Sequence, residues 1–296
     1  MSVSPVSHPE GVAQPLPPAT RLGRVRLQIS DLDRSLAFYQ GVLGLRVLLR
    51  SDTGAVLGAH GDDAPLVELA ETPGVQPVPR RGRLGLFHVA YLLPDRASLA
   101  QFVRHLSEAG VRPGMSDHLV SEAVYLSDPD GLGVEVYADR PRSAWRYDGG
   151  QIAMATQPLD VPDLLQSASD VPWSGAPSGT TVGHVHLHVA YLDQAEAFYH
   201  RALGLDRTVW GYPGALFFSA GGYHHHLGVN TWAAGAPPAG GDDARLLEWS
   251  LVVPDAGAVE AAAERLAAVG ADVRPDGPDR LVSDPWGTTL RLASTA

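Results

Sequence analysis

The sequence contains no cysteine among its 296 residues, which excludes disulfides, iron–sulfur clusters and thiolate metal sites. Any metal would have to be held by His, Asp or Glu side chains. Basic residues are also scarce, because 22 Lys and Arg stand against 33 Asp and Glu and leave a net charge of −11. We therefore expect no nucleic-acid partner, since phosphate binding needs clustered cations.

Long apolar runs are missing as well. No segment reaches the roughly 20 apolar residues of a transmembrane helix, and the N-terminus lacks the basic stretch and apolar stretch of a signal peptide. These absences predict a cytoplasmic protein that does not enter a membrane. Hydrophobic residues nevertheless make up 45% of the chain, and the length fits two ordinary domains, so a packed core is expected.

An internal repeat organises the chain beyond residues 1–19, a proline-rich segment that we predict to be a disordered tail. The segment 31–39, Asp-Leu-Asp-Arg-Ser-Leu-Ala-Phe-Tyr, returns 160 residues later as 191–199, Tyr-Leu-Asp-Gln-Ala-Glu-Ala-Phe-Tyr, and each is followed by a Leu-Gly-Leu segment. Pro94-Asp95 returns at the same offset. Such a repeat indicates a duplicated structural unit.

Each half of the chain holds two smaller units, which we call modules. A module opens with an alternating strand such as 24–29 or 184–189, continues with a helix such as 32–43, which Gly44 is placed to cap, and ends in short strands. The four modules are placed at 21–71, 84–140, 181–232 and 245–293. The predicted organisation is a tail at 1–19, an N-terminal half with modules one and two at 20–140, a linker at 141–180, and a C-terminal half with modules three and four at 181–296.

The βαβββ pattern of a module, the Asp-Leu-Asp…Phe-Tyr…Leu-Gly-Leu segment and the closing Asp-Pro-Asp-Gly at 128–131 resemble the glyoxalase/bleomycin-resistance/extradiol-dioxygenase superfamily, also called the vicinal oxygen chelate superfamily. The resemblance covers nearly all of residues 21–293 and is greatest to the two-domain catechol-2,3-dioxygenase type. It implies an α+β fold in which four βαβββ modules form two cup-shaped mixed β-sheet domains. Fold alone does not give function here, so the site needs its own argument.

In this superfamily, metal ligands come from the first and last strands of the modules. The repeat frame places four residues at the first-strand position: Arg24, His88, His184 and Glu248. Glu135 and Arg291 follow the Asp-Pro-x-Gly turns in the last strands, and Glu68 lies near the end of module one. Modules one and four thus offer two arginines beside two carboxylates, which predicts ion pairing and no metal site.

Modules two and three offer His88, Glu135 and His184, the two-histidine, one-carboxylate set that suits non-haem Fe(II) with open coordination positions. Mn(II) uses the same ligands. The resemblance implies an extradiol ring-cleaving dioxygenase whose partners are a small aromatic diol and O₂. The hypothesis requires modules two and three to pair. If modules one and two paired instead, His88, Glu135 and Glu68 would share a cup with Arg24, as a degraded glyoxalase-like site.

Three further residues are candidates for catalysis. The segment 222–230 resembles the strand that carries the acid–base histidine of extradiol enzymes, and the match falls on His226. Period-two alternation would place His224 on the same face. Tyr125 stands ten residues before Glu135, where the family has a tyrosine that hydrogen-bonds substrate, although core packing explains it equally well. His118 lies where the family often has another active-site histidine, but its spacing to Tyr125 fits less closely.

Two other functions stay open. A glyoxalase-like metal-dependent lyase or isomerase would need a fourth protein ligand, and the corresponding strand around 228–230 offers no carboxylate. A non-enzymatic small-molecule-binding resistance protein would need no metal triad. The roles of His186, His188, His224 and His225, the ring substituents of the substrate and the oligomeric state are not determined by the sequence, which is compatible with a homo-oligomer.

Overall fold

The computed structural model describes residues 14–79, 81–169 and 171–295. The chain forms two curled eight-stranded mixed sheets with helices packed on them, which confirms the predicted α+β class. None of the described helices combines the length and apolarity needed to cross a membrane.

The elements of the N-terminal half alternate as the module pattern predicts. They are β1 (Arg21–Ile29), α1 (Leu32–Gly41), β2 (Arg46–Arg50), β3 (Gly54–Gly58), β4 (Pro65–Glu71), β5 (Gly85–Leu92), α2 (Arg96–Glu108), β6 (Gly114–Asp117), β7 (Ser121–Ser127) and β8 (Gly133–Asp139). A short 3₁₀ turn (Arg142–Ala144), β9 (Tyr147–Asp148), β10 (Gln151–Ile152) and α3 (Val161–Gln166) follow.

The C-terminal half repeats the order. Its elements are β11 (Thr181–His188), α4 (Leu192–Ala195) with a π-helical continuation (Glu196–Ala202), β12 (Asp206–Val209), β13 (Ala215–Ser219), β14 (Leu227–Asn230), β15 (Arg245–Val253), α5 (Ala256–Ala268), β16 (Val273–Asp276), β17 (Asp279–Ser283) and β18 (Thr289–Ser294).

Each sheet takes one module from each half. The first sheet has the order β16-β17-β18-β15-β1-β4-β3-β2 and joins modules four and one through the antiparallel pair β1 and β15. The second has the order β12-β13-β14-β11-β5-β8-β7-β6 and joins modules three and two through the antiparallel pair β5 and β11. Modules two and three therefore pair, as the metal hypothesis requires.

Aspartates begin three of the four module helices. Asp31, Asp95 and Asp255 each stand at the N-cap and accept a hydrogen bond from the backbone N–H three residues on, which satisfies a helical donor that has no partner within the helix. In module three the repeat carries Tyr191 at this position, and its side chain makes no capping bond. The helix there is α-helical only over Leu192–Ala195 before it widens.

The segment 141–180, predicted as a linker, packs against both halves. Leu164 of α3 is fully buried, and Gln157 exchanges two backbone hydrogen bonds with Asp117. The N–H of Ala176 donates to the carbonyl of Gly44 at 2.8 Å. Gly44 adopts φ +72° just beyond α1, the left-handed conformation of a C-terminal cap, as predicted. The linker therefore contributes to the core.

The predicted tail at 1–19 lies mostly outside the described residues, but its last part is ordered. Leu16 is buried, and its N–H donates to the carbonyl of Gly204 at 2.8 Å. Arg265 reaches the side chain of Gln14. The expectation of disorder is therefore wrong for residues 14–19, because Leu16 is buried and its backbone bonds to module three.

Two buried hydrogen bonds join the sheets. Tyr39 of module one donates to Asp128 of module two at 3.3 Å, and Tyr199 of module three donates to Asp284 of module four at 2.7 Å. Both tyrosines are fully buried and belong to the repeated Phe-Tyr segment. Burial raises the pKa of the Asp284 carboxyl, although the hydrogen bonds from Tyr199 and the backbone partly oppose the change. Each half of the chain is thus tied across the two layers.

We expect Tyr199→Phe to lower the free energy of unfolding by about 1–3 kcal/mol, because it leaves the buried Asp284 carboxyl without its side-chain donor. Urea denaturation followed by tryptophan fluorescence measures the change. Tyr147, half-exposed on β9, supplies the matched Tyr147→Phe control. Equal denaturation midpoints for the two variants would contradict the role given to this bond.

Candidate metal centre

The two central strands of the second sheet bring the predicted ligands together. His88 lies on β5 and His184 on β11, and these strands pair antiparallel, with His88 opposite His186. Glu135 lies on β8, parallel to β5 and opposite Ala90. Since alternate residues of a strand share a face, the register sets Glu135 beside the His88 side chain.

The three side chains converge in the interior of the protein. Nε2 of His88 lies 3.0 Å from Oε2 of Glu135, Nε2 of His184 lies 3.2 Å from the same oxygen, and the two Nε2 atoms are 3.3 Å apart. All three residues are at most 5% exposed. In the described part of the chain they form a group of His and Glu ligand atoms close enough to hold one metal ion.

This donor set fits a first-row transition metal. An ion with bonds of about 2.1 Å at near right angles places neighbouring donor atoms about 3 Å apart, which is the spacing seen here. Two imidazoles and one carboxylate also leave the remaining coordination positions open. His88, Glu135 and His184 could therefore hold such an ion with little rearrangement.

The protonation states of Glu135 and His184 suit metal binding. Burial lowers the pKa of His184 to about 4, although the neighbouring Glu135 acts in the opposite direction. Burial alone would raise the pKa of Glu135, but charge interactions and hydrogen bonds from His184 and His88 hold it well below its usual range. At neutral pH the carboxylate is ionised and the His184 ring is neutral, which are the forms that bind metal.

The equivalent place in the first sheet is an ion-pair cluster. Arg24 pairs with Glu68 and lies 3.7 Å from Glu248. Arg26 reaches Glu68 at 2.8 Å. Arg291 binds Glu248 with two nitrogens at 2.7 and 3.0 Å. The expectation of ion pairing in modules one and four is confirmed.

The position for a fourth ligand is a glycine. The register sets Glu68 opposite Arg26, Glu135 opposite Ala90, Gly228 opposite His186, and Arg291 opposite Ser250. Gly228 is thus the counterpart of Glu135 in module three. A Cβ atom there would lie 2.9 Å from Cγ of His186, so a side chain at this position would collide with the imidazole. Module three cannot supply a carboxylate at Gly228 without moving His186.

Tyr125 and His118 form a hydrogen-bonded pair beside the triad. Tyr125 is the cross-strand neighbour of Glu135, and its ring centroid is 5.7 Å from that of His88. Nδ1 of His118 donates to the carbonyl of Ala155 at 2.7 Å, which leaves Nε2 to accept from the Tyr125 hydroxyl at 2.5 Å. Burial, together with the charge of Glu135, raises the pKa of Tyr125 well above its usual value, so the phenol stays protonated.

His226 makes no hydrogen bond or ring contact with the triad among the described residues, and its predicted catalytic role stays a prediction. Residues 221–226 form a turn and not a strand, so period-two alternation does not apply and His224 and His226 do not share a strand face. Nδ1 of His226 accepts from the N–H of Ala220 at 3.2 Å, and its ring lies 5.1 Å from that of Tyr223. His226 lines a separate cavity with Leu22, among others.

His225 takes the place next to the triad. Its ring centroid is 4.0 Å from that of His184, and its Nδ1 lies 2.7 Å from Nδ1 of His224. Nε2 of His224 donates to Asp139 at 2.8 Å, so Nδ1 of a neutral His224 accepts from His225. The lone pair of His225 is then on Nε2. Sequence reasoning missed this series of hydrogen bonds from Asp139 through His224 to His225. Only the turn at 221–226 brings Asp139 of β8 close to these histidines.

His186 and His188 lie inside the protein and not on its surface. Nδ2 of Asn230 lies 2.9 Å from Nε2 of His186, and Oδ1 of Asn230 lies 2.7 Å from Nδ1 of His188. The ring of His186 is 5.0 Å from that of His88. Strand alternation could have indicated this, since both residues share a face of β11 with His184.

Known proteins are similar to this chain in sequence. Residues 21–136 match the family described as the Glyoxalase/Bleomycin resistance protein/Dioxygenase superfamily. A catechol-2,3-dioxygenase of Bacillus subtilis (strain 168) is 43% identical over 270 residues, 90% of this chain and 94% of that protein. A lactoylglutathione lyase of Haemophilus influenzae is 34% identical over 121 residues, 37% of this chain and 85% of that protein.

A solved structure agrees with the fold. The structure of a candidate dioxygenase from Bacillus subtilis subsp. subtilis strain 168 superposes with a TM-score of 0.65 and 17% identity, and the match covers 95% of this chain and 86% of that one. This likeness concerns the fold alone. The identity of 43% over nine-tenths of the sequence shows more: the chain belongs to the glyoxalase/bleomycin resistance protein/dioxygenase superfamily.

Proposed function

We propose that this protein is an extradiol ring-cleaving dioxygenase similar to catechol 2,3-dioxygenase, with Fe(II) as cofactor and a small aromatic diol and O₂ as substrates. The observation that carries the proposal is the buried convergence of His88, Glu135 and His184, in a chain 43% identical to a catechol-2,3-dioxygenase. Mn(II) fits the same ligands.

The open coordination side favours this function over a glyoxalase. A lyase of that kind would use a fourth protein ligand, and the equivalent position is Gly228, closed to a side chain by His186. Without a fourth protein ligand, a metal held by the triad would keep a coordination position for a diol oxygen. The resistance-protein alternative gives no reason for two histidines and a glutamate to face one another in the interior.

Iron bound to the triad would supply chelation of both diol oxygens and electron transfer to dioxygen. The protein's own groups handle the protons. The lone pair of His225 Nε2, oriented through His224 and Asp139, is available to take a proton from the diol. The Tyr125 phenol donates its hydrogen bond to His118, so its oxygen is available to accept a hydrogen bond from a substrate hydroxyl. Overall, one O₂ is consumed per ring and both oxygen atoms enter a ring-opened semialdehyde acid.

The metal content provides the first test. We expect purified protein loaded anaerobically with Fe(II) to hold about one ion per chain, because the described residues contain one complete triad. Glu135→Gln should weaken binding by at least about 100-fold, since even changes to groups behind the ligands cost about 10–100-fold. Elemental analysis after desalting measures both.

The first sheet offers a matched control for this test. Glu68 is the module-one counterpart of Glu135, but it pairs with Arg24 and Arg26. Glu68→Gln should leave the metal content unchanged. Two ions per chain in the wild type, or equal loss in both variants, would argue against the assigned ligands.

The reaction class is tested with an oxygen electrode. Iron-loaded protein should consume one O₂ per catechol and form a yellow ring-fission product, whereas the methylglyoxal–glutathione adduct should not be turned over under anaerobic conditions. The assay uses a panel of catechols that differ in their ring substituents. If no catechol caused oxygen uptake and the thiol adduct were turned over, the dioxygenase proposal would be rejected. A glyoxalase with the same metal site would then be the better assignment.

The role of His225 is tested by His225→Phe. We expect turnover to fall by about 10²-fold or more while the metal content stays near one per chain, because a general base is lost and no ligand is removed. His200, buried in the module-three helix with Nδ1 2.7 Å from the carbonyl of Leu205, supplies the control His200→Phe. Loss of iron from His225→Phe would make this residue a ligand, and unchanged turnover would remove it from the reaction.

A further inference from the structure

A cavity lies beside the candidate metal centre, where β1 of the first sheet meets β5 and β11 of the second. Its volume is about 200 Å³, more than the roughly 150 Å³ that holds a benzene molecule in an engineered protein core. The walls come from the segment before β1, from β1, β5 and β11, and from the turn that carries His226. Leu22, Leu92 and Val182 provide apolar wall. The space is large enough for one six-membered ring.

His226 is a hydrogen-bond donor in the wall of this cavity. Nδ1 of His226 accepts from the N–H of Ala220, so the proton of the neutral ring is on Nε2. Burial lowers the pKa of His226 to about 3, so the ring is neutral in ordinary buffers. The side chain is 8% exposed, in a cavity that it helps to line. His226 thus offers an N–H donor there.

Arg142 is held at the same cavity by two aromatic rings. Its guanidinium lies 5.5 Å from the ring centroid of Trp145 and 5.9 Å from that of Tyr223, and Nη1 donates to the carbonyl of Gly221 at 3.2 Å. Arg21 also lines the cavity. Within the described ranges, neither arginine has a carboxylate partner. A guanidinium oriented in this way, with donors to spare, suits a planar carboxylate.

Asp139, which is hydrogen-bonded to the cavity residue Tyr223, belongs to another network. Asp139 accepts from the Tyr223 hydroxyl at 3.2 Å and from His224 at 2.8 Å. The Tyr137 hydroxyl, 2.7 Å from that of Tyr223, completes the wall between the cavity and the triad, since the Tyr137 ring lies 4.9 Å from that of His184. A ligand in the cavity meets Tyr223 and not the metal ligands.

We propose that this cavity is a second binding site, separate from the metal centre, for a single-ring aromatic carboxylate. The ring lies against Leu22, Leu92 and Val182, and the carboxylate accepts hydrogen bonds from Arg142 and His226. The site needs no metal and therefore does not depend on the proposed reaction.

Benzoate is the probe, titrated calorimetrically into the full, metal-free protein. One site is expected. Arg142→Gln should weaken benzoate binding about tenfold or more, because a charge-assisted hydrogen bond is lost, and His226→Phe should weaken it too. Benzamide, which has the same shape without the charge, should bind more weakly and respond little to Arg142→Gln. Arg146→Gln, an exposed arginine outside the cavity lining, is the matched control.

Glu135→Gln separates this site from the triad, because benzoate binding should survive it unchanged. Arg142 is exposed, so the Arg142→Gln variant should fold. It therefore tests the proposal even if the His226→Phe variant does not fold. Absent benzoate binding, binding that Arg142→Gln leaves intact, equal affinity for benzamide, or loss of binding in Glu135→Gln would each overturn the proposal.

Discussion

The antiparallel pairing of β5 with β11 is the constraint on which the candidate site depends. It joins a strand of the N-terminal half to one of the C-terminal half and sets their first-strand histidines 3.3 Å apart. Glu135 then follows from the parallel pairing of β8 with β5. A slip of one residue would turn every side chain of a strand to the other face, so the buried faces that fix the register also fix the ligands.

The two sheets have the same architecture but different side chains at the equivalent central positions. At matching places, the first sheet has Arg24, Glu68, Glu248 and Arg291, and the second has His88, Glu135, His184 and Gly228. In the first sheet the carboxylates are neutralised by guanidinium groups, so the cluster holds strands together. In the second, a glycine takes the place of a side chain. The two sheets thus offer equivalent places, and different residues at three of the four positions give them different roles.

Sequence periodicity could predict the ligand positions on the strands. Side chains of a strand alternate every two residues, and equivalent residues of the two halves are 160 residues apart. His88 and His184 were placed by that frame, and their pairing needed only the order of strands. His225 could not be found in this way, since the turn at 221–226 has no period and its glycines Gly221 and Gly222 both adopt positive φ. Leu16 was missed for a related reason: a single apolar residue among prolines carries no pattern, although it packs against Gly204.

Charge balance favours a bound cation at the site of His88, Glu135 and His184 in the second sheet. A buried carboxylate without a compensating charge is costly. Glu68 and Glu248 meet arginines, but the groups that perturb Glu135 are the imidazoles of His184 and His88. Burial keeps the His184 ring neutral at ordinary pH, so it can donate a hydrogen bond but no net positive charge. A divalent cation between the three donor atoms would supply the charge that an arginine supplies in the first sheet, and would use the His184 imidazole in the neutral form that burial favours.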